Sequence, residues 1–324
     1  MGASSSEPRE EESEESPGTS TSVLSRRPKF YLSRQLETIL HGVCPMLLYR
    51  TKRITLVEED GRHYILPDLS WDQLFNHEDL PRYLRSVMDA EAPLDEAFDL
   101  LHGDILPPLE EQEVWAAGVT YFRSRDARME EAADSGGSYF YDLVYDADRP
   151  ELFFKATAHR VAGQGEGIRI RRDSKWNVPE PELTLAINAR GEIVGYTVGN
   201  DVSSRDIEGA NPLYLPQAKV YDRSCALGPG ILVRENQDLP EETEIHLKVL
   251  RNAKTVFEGT CALDSMKRKP RELVEYLYRE SSFPHGCLLM TGTGVVPDSD
   301  FTLTAGDEVQ ITIEAIGTLV NTVR

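Results

Sequence analysis

The chain predicts an α+β fold. A β-rich, mixed-sheet roll is expected over residues 108–324, preceded by a small N-terminal α+β domain over 28–107 and an acidic tail over 1–27. Three observations predict it. From Val114 onward the pattern consists of short β-type runs: EVWAAGVTY, GIRIRR, ELTLAINARGEIVGYTVGND, CALGPGILV, EIHLKVLRN, KTVFEGTCA and DEVQITIEAIGTLVNTVR. Two helical stretches, near residues 124–145 and 270–280, interrupt them. The runs are joined by long loops, which argues for an antiparallel or mixed sheet and against a doubly wound βαβ arrangement.

In chain order, the start MGASSSEPREEESEESPGTSTS is dominated by serine, glutamate and proline, too poor in apolar surface to order itself. FYLSRQLETILHGV then has helical periodicity. RITLVEEDGRHYIL alternates on both sides of Asp60-Gly61, the signature of a hairpin. WDQLFNHEDLPRYLRSVMDAE and PLDEAFDLL read as short amphipathic helices, and the two prolines of ILPPLEEQ mark the junction to the larger domain.

A formal net charge of −20 argues against nucleic acid or an anionic membrane as partner. Gly2 followed by Ser6 fits the myristoylation pattern, but the acidic run behind it would repel an anionic leaflet. No apolar run approaches the roughly 20 residues of a membrane span, and no secretory h-region follows the initiator. The expected location is the cytoplasm. Cys44, Cys225, Cys261 and Cys287 lie far apart without metal-ligand spacing, as free thiols of a reducing compartment do.

The segment ELTLAINARGEIVGYTVGND pairs with itself as a hairpin across Arg190-Gly191. In that register Leu183 faces Val198, Leu185 faces Tyr196 and Ile187 faces Val194 on one side. Thr184 faces Thr197, Ala186 faces Gly195, Glu182 faces Gly199 and Glu180 faces Asp201 on the other. A slip of one residue would exchange the faces. The pairing gathers Glu180, Glu182 and Asp201 on one surface, where they repel unless one takes a proton or a cation binds. All-oxygen donors favour a hard divalent ion, Mg²⁺ with Ca²⁺ or Mn²⁺ as alternatives. The bland alternative is a solvated acidic strand end between prolines.

At these residues the sequence resembles the fumarylacetoacetate hydrolase superfamily, whose metal motif is an E-x-E pair followed by an aspartate about twenty residues on. The resemblance runs from about Trp115 to the C-terminus, most specifically through RPELFFKAT, DSKWNVPEPEL, GNDVSSRDIEGANPLYLPQAKVY and TGTGVVP. It implies the roll-like fold and a homo-oligomer, dimer or tetramer. It further implies Glu180, Glu182 and Asp201 as metal ligands, Lys219 as active-site lysine, and Glu151 and Lys155 near the site. Thr291, Gly292 and Thr293 fall on the loop that closes over a substrate carboxylate. Hydrolases of the family carry a histidine three residues after the tyrosine of a G-x-N-Y segment; here that position, after Tyr121, is Ser124. Without that base, water attack on a carbon–carbon bond slows by roughly 10²–10⁴-fold. Glu130 or Glu131 remains an alternative base.

The resemblance therefore points to a divalent-metal lyase that dehydrates a 2-keto-3-deoxy sugar acid, 2-keto-3-deoxy-D-arabinonate to 2,5-dioxopentanoate, through a metal-stabilised enolate. The alternative is a hydrolase, decarboxylase or isomerase of a 2,4-diketo acid. Lys219 is expected to transfer a proton, its pKa lowered by a neighbouring cation, or to be a permanently charged partner of the substrate carboxylate. Glu151 is expected to assist departure of the hydroxyl or to pair with Lys155. Thr291-Gly292-Thr293 suits an anion through its N–H and hydroxyl groups, or is a plain turn. Arg205 is expected to pair with Asp206, although Ser203 or Arg205 could reach substrate. His159 is expected to be a loop hydrogen-bonder, and Trp115 and Trp176 packing residues.

Overall fold

A computed structural model describes residues 45–67, 69–94, 101, 103–131, 138–234 and 238–324. The acidic tail, the helix expected at FYLSRQLETILHGV, Cys44 and most of PLDEAFDLL lie outside the described residues.

Seventeen strands are described: β1 (Met46–Arg50), β2 (Thr55–Glu59), β3 (Arg62–Leu66), β4 (Glu113–Gly118), β5 (Glu151–Ala156), β6 (Val161–Ala162), β7 (Gly167–Ile168), β8 (Asn177–Val178), β9 (Pro181–Ile187), β10 (Ile193–Asp201), β11 (Ser203–Ser204), β12 (Cys225–Val233), β13 (Glu244–Arg251), β14 (Lys254–Ala262), β15 (Cys287–Met290), β16 (Glu308–Ile313) and β17 (Gly317–Val323). Seven α-helices accompany them: α1 (Trp71–Phe75), α2 (Leu80–Ala90), α3 (Phe122–Glu131), α4 (Ser138–Asp146), α5 (Arg205–Ala210), α6 (Leu215–Lys219) and α7 (Pro270–Tyr278). A ten-stranded sheet runs β3-β2-β1-β12-β10-β9-β15-β4-β5, with β6 alongside β12. A five-stranded sheet runs β14-β13-β16-β17-β7. Most pairings are antiparallel; β15–β4, β12–β6 and β17–β7 are parallel, so the sheets are mixed as the sequence predicts.

The two sheets stack through a core of Leu183, Leu185, Ile187, Tyr196 and Val198 against Ile245, Leu247, Val249, Val309 and Ile311, joined by Leu273 and Leu277 of α7. The other face of the large sheet packs Ala186, Leu288 and Met290 against Trp71, Leu74 and Phe75 of α1 and Leu80, Leu84 and Val87 of α2. The spacing Leu80, Leu84, Val87 gives α2 its apolar stripe, and Asp79 caps its start by accepting from Arg82 N. Ser70 and Gln73 form a reciprocal capping box on α1.

Strand β1 joins β12 through Met46↔Val233 and Leu48↔Ile231, so residues 46–66 extend the same sheet that residues 113–290 build. The proposed division near residue 107 thus separates chain segments that share a sheet. The helical stretch near 124–145 is two helices, α3 and α4, and GIRIRR contributes only the two residues of β7. Strands β1, β5 and β15 are continuous apolar or mixed runs without clean alternation, which periodicity does not separate from helix.

The central hairpin pairs as expected from Ala186↔Gly195 to Pro181↔Asn200. At its far end Ile187 faces Ile193 instead of Val194, because a bulge intervenes between Ile193 and Gly195. Every residue of β9 is buried, so the strand is covered on both faces. A cleft of 1390 Å³ lies at the turn end of this hairpin, lined by residues including His77, Arg82, Arg190, Glu192 and Tyr278, and contains none of the expected site residues.

Asp307 ties the small sheet to its loops, accepting from Arg251 Nε and Nη2 at 2.8 Å each and from Thr304 N at 2.9 Å. Burial favours its neutral form, but the Arg251 and Thr304 hydrogen bonds outweigh that and hold the carboxyl below its ordinary value. A lowered folded value means stabilisation present above the unfolded pKa and lost as pH falls through the folded one. Asp307→Asn is expected to lower unfolding free energy at pH 7 by on the order of 1–3 kcal/mol and to flatten the acid limb of the stability curve. Urea melts across pH check this; equal native and variant stability at pH 7 would overturn it.

Candidate metal centre

Antiparallel pairing places Glu182 opposite Gly199, and Asp201 N donates to Glu180 O at 3.0 Å one step further on. Alternation along β9 then puts Glu180 and Glu182 on the face of Asp201. One carboxylate oxygen from each of Glu180, Glu182 and Asp201 lies within 4.8 Å of the others, and all three residues are buried. Opposite Glu182 the chain carries a glycine: a Cβ on Gly199 would meet Thr184 Oγ1 and, at 2.8 Å, Met290 Cε.

Buried cations surround this trio. Lys219, at the end of α6, donates through Nζ to Glu180 Oε2 at 2.7 Å, Asp201 Oδ2 at 2.8 Å and Ser203 Oγ at 2.6 Å. Lys155, from β5, makes a close ion pair with Asp201 Oδ1 and donates to Lys219 O at 2.6 Å and Val202 O at 3.1 Å. Arg205, opening α5, donates from Nη2 to Glu180 Oε1 at 2.7 Å. Glu182 differs: its hydrogen bond comes from Gly292 N at 2.5 Å, and among the described contacts it has no ion-pair partner.

The electrostatics follow. Burial would raise Glu180, but the Lys219 ammonium and the Arg205 guanidinium overcome it and hold the carboxyl well below the usual range. Glu182 is pushed well above its ordinary value by burial and by the charges of Asp201 and Glu180. For Lys219 burial favours the neutral amine, yet Asp201 and Glu180 win and hold the ammonium above its ordinary value. Two carboxylates of the protein itself thus hold that proton.

Glu151 faces Gly118 across β4–β5, and a Cβ on Gly118 would collide with its carboxyl. Its Oε2 is covered and, among the described residues, without a hydrogen-bond partner, and burial raises its pKa against an opposing effect of Arg128. The pairing with Lys155 considered from sequence does not form; Lys155 serves Asp201 instead.

Other expectations are redirected. Arg205 bonds Glu180, whereas Asp206 accepts from Ser174 Oγ at 2.5 Å and Lys175 N at 2.8 Å, so the two do not pair. Ser203 Oγ donates to Asp201 O at 2.9 Å while receiving Lys219. The Thr291 hydroxyl donates to Leu183 O at 2.9 Å and that of Thr293 to Val295 O at 3.1 Å, so both are spent on the backbone and shape the loop that presents Gly292 N. Ser124 Oγ donates to Tyr121 O at 2.8 Å and accepts from Tyr121 N, capping the start of α3. His159 is exposed and bonded to Thr157 Oγ1, as expected, and Trp115 packs edge-on against Phe154 and Phe283. The side chains of Glu130 and Glu131 lie outside those described.

Sequence reasoning missed Arg128 and Glu208, 4% and 1% exposed, which form a close ion pair behind Arg205. A glutamate three residues after Arg205 on one helix was the available signal.

The donor set fits a hard divalent ion: three carboxylates converge, all from oxygen, and one of them lacks a cation. Glu182→Gln keeps the shape and the Gly292 bond but removes the charge. It is expected to weaken Mn²⁺ binding by about tenfold or more, since even outer partners of a metal are worth that much, without lowering thermal stability in chelator. A Mn²⁺ titration with unchanged affinity would dismiss the site.

Comparison with known proteins places this geometry. Residues 125–324 match the fumarylacetoacetate (FAA) hydrolase C-terminal family. A probable 2-keto-3-deoxyxylonate dehydratase of Haloferax volcanii is 50% identical over 230 residues, covering 71% of this chain and 78% of that protein. The 2-dehydro-3-deoxy-D-arabinonate dehydratase of Saccharolobus solfataricus is 45% identical over 221 residues, covering 68% and 74%. A solved 2-keto-3-deoxy-D-arabinonate dehydratase, complexed with magnesium and 2,5-dioxopentanoate, superimposes with a TM-score of 0.72 at 35% identity over 86% of this chain and 98% of that one. The E-x-E hairpin, the mixed double sheet and these matches agree that the chain belongs to the fumarylacetoacetate hydrolase family.

Proposed function

We propose that the protein is a divalent-metal hydro-lyase that dehydrates a 2-keto-3-deoxy sugar acid, 2-keto-3-deoxy-D-arabinonate or its pentonate isomer, to 2,5-dioxopentanoate. The observation that carries this is the buried carboxylate trio lying beside Glu151, whose covered Oε2 has no hydrogen-bond partner among the described residues. The dehydratase relatives support the substrate class.

Glu180, Glu182 and Asp201 would hold the ion, Mg²⁺ by preference, with Mn²⁺ or Ca²⁺ as substitutes. When bound, it supplies Lewis-acid polarisation of a chelating 2-keto acid. Formal charges fit a monoanionic substrate. Among the described residues of the cluster, with every group counted as ionised, four cations, Lys155, Lys219, Arg128 and Arg205, face five carboxylates, Glu151, Glu180, Glu182, Asp201 and Glu208. A divalent ion turns this deficit of one into an excess of one, which a single carboxylate neutralises.

Lys219 transfers the C3 proton. A divalent ion held by Glu180 and Asp201 would weaken their grip on the Lys219 proton and so favour the free amine. Glu151, its proton affinity raised by burial, gives a proton to the departing C4 hydroxyl, which leaves as water. Tautomerisation of the resulting enone through C5 yields the aldehyde. Lys155 holds Asp201 and the chain at Lys219, and Gly292 N orients Glu182. Ser124 is tied to Tyr121 and stands where the family's hydrolases carry their histidine, which removes the usual activation of water.

Purified protein with Mg²⁺ is expected to release an aldehyde from 2-keto-3-deoxypentonates and no pyruvate from 2,4-diketo acids. Glu151→Gln should lower turnover by roughly 10²–10⁴-fold while leaving Mn²⁺ binding intact. Pyruvate release without dehydration would instead establish the hydrolase.

No helix among the described residues is long and apolar enough to cross a membrane. The proposal places the enzyme in the cytoplasm as a homo-oligomer, dimer or tetramer. Supporting this are free thiols at Cys225, Cys261 and Cys287 and exposed apolar side chains at Leu213 (84%), Tyr139 (64%) and Phe122 (55%). Light scattering on the eluting protein should report a multiple of 36.4 kDa; a monomer at micromolar concentration would contradict it.

A further inference from the structure

Glu208 does nothing in the reaction proposed above, yet the fold spends a buried charge on it. It is 1% exposed, and among the described residues its oxygens are met by ion pairs without hydrogen-bond geometry. Two guanidiniums compensate it: Arg128 in a close ion pair with Oε1, and Arg205 Nε at 4.0 Å from Oε2. Arg205 is also the residue that grips Glu180 Oε1 at 2.7 Å. It therefore stands between two carboxylates, of which one belongs to the metal centre and the other does not.

Stability alone does not account for the Arg128–Glu208 pair. Buried ion pairs contribute little relative to apolar residues of the same shape, whereas a buried charge stripped of its partner is strongly unfavourable. The consequence lies in what Glu208 would do alone. Without Arg128, the described cation nearest to it is Arg205, three residues back on the same short helix. Glu208 would draw that guanidinium away from Glu180. Arg128 is well anchored for the opposite task. Helix α3, which carries it, is capped by Ser124 at Tyr121, and the preceding Thr120 Oγ1 donates to Thr291 O at 2.7 Å. That places the helix start on the loop whose Gly292 N holds Glu182.

We propose that Arg128 is a positioning residue: by satisfying Glu208 it leaves Arg205 to hold Glu180 in the orientation the metal centre requires. The proposal rests on the metal-centre reading above.

The distinguishing feature is that the loss should be reversible by a second loss. Arg128→Met leaves Glu208 competing for Arg205 and is expected to weaken Mn²⁺ binding by about 10- to 100-fold, as removal of outer-sphere partners does. Arg128→Met/Glu208→Met removes the competitor and should recover most of that affinity, a coupling of about tenfold or more. Free Mn²⁺ measured by its paramagnetic resonance in titrations of the full chain reads the affinity, and circular-dichroism melts establish folding. Should Arg128→Met not fold, Arg128→Gln and Arg128→Gln/Glu208→Gln carry the same comparison with amides. Native affinity in the single variant, or a double variant no tighter than the single, overturns the proposal. Absence of Mn²⁺ binding by the native protein would be failure of the metal centre itself.

Discussion

Like charges held together away from water are the constraint around which this protein is organised. Glu180, Glu182 and Asp201 converge within 4.8 Å beside a strand, β9, that is covered on both faces. Burial alone would protonate them. Lys219 and Arg205 keep Glu180 ionised, Lys155 and Lys219 form ion pairs with Asp201, and Glu182 is left with a backbone N–H. The cluster is compensated almost completely, and the residual deficit sits on one oxygen-donor residue. That is a state a small, highly charged cation relieves and a large organic cation does not.

Rigidity comes from where these residues are mounted. Glu180 immediately precedes β9, Glu182 lies near its start and Asp201 closes β10; their neighbours β12 and β15 hold the hairpin on both sides. Sites carried on paired strands keep their geometry better than sites on loops. The lysines arrive from β5 and α6, and the two backbone contacts of Lys155, to Val202 and Lys219 carbonyls, lock three chain segments together. Glycine makes the remaining room: Gly118 for the carboxyl of Glu151, Gly199 beside Thr184 and Met290.

The hydroxyl groups around the site serve a different purpose from the one their positions suggest. Ser124, Thr291 and Thr293 all donate to main-chain carbonyls, and Ser203 both donates to one and accepts from Lys219. Buried hydroxyls must find partners, and the backbone is the nearest supply. The groups left for chemistry are carboxylates and amines, which suits proton transfer at a polarised keto acid better than activation of water for carbon–carbon cleavage.

How much of this was legible in the chain differs from element to element. Alternation with period two is a local property, so the hairpin register, its facing pairs and the carboxylate trio could be read from ELTLAINARGEIVGYTVGND alone. The Asp60-Gly61 turn could be read the same way, since both residues adopt the positive φ that their types favour. The bulge at Val194, the apolar strands β1 and β15, and the covering of β9 on its second face could not, because each depends on what packs against it. Partner choice among charges was the least legible. Lys155 takes Asp201 over Glu151, Arg205 takes Glu180 over Asp206, and Arg128 takes Glu208. These residues are distant in sequence, and charge attraction has no period. The chain by itself determined which residues share a face; only the tertiary structure decided which opposite charge each would meet, because Coulomb energy depends on distance and burial that no local pattern encodes.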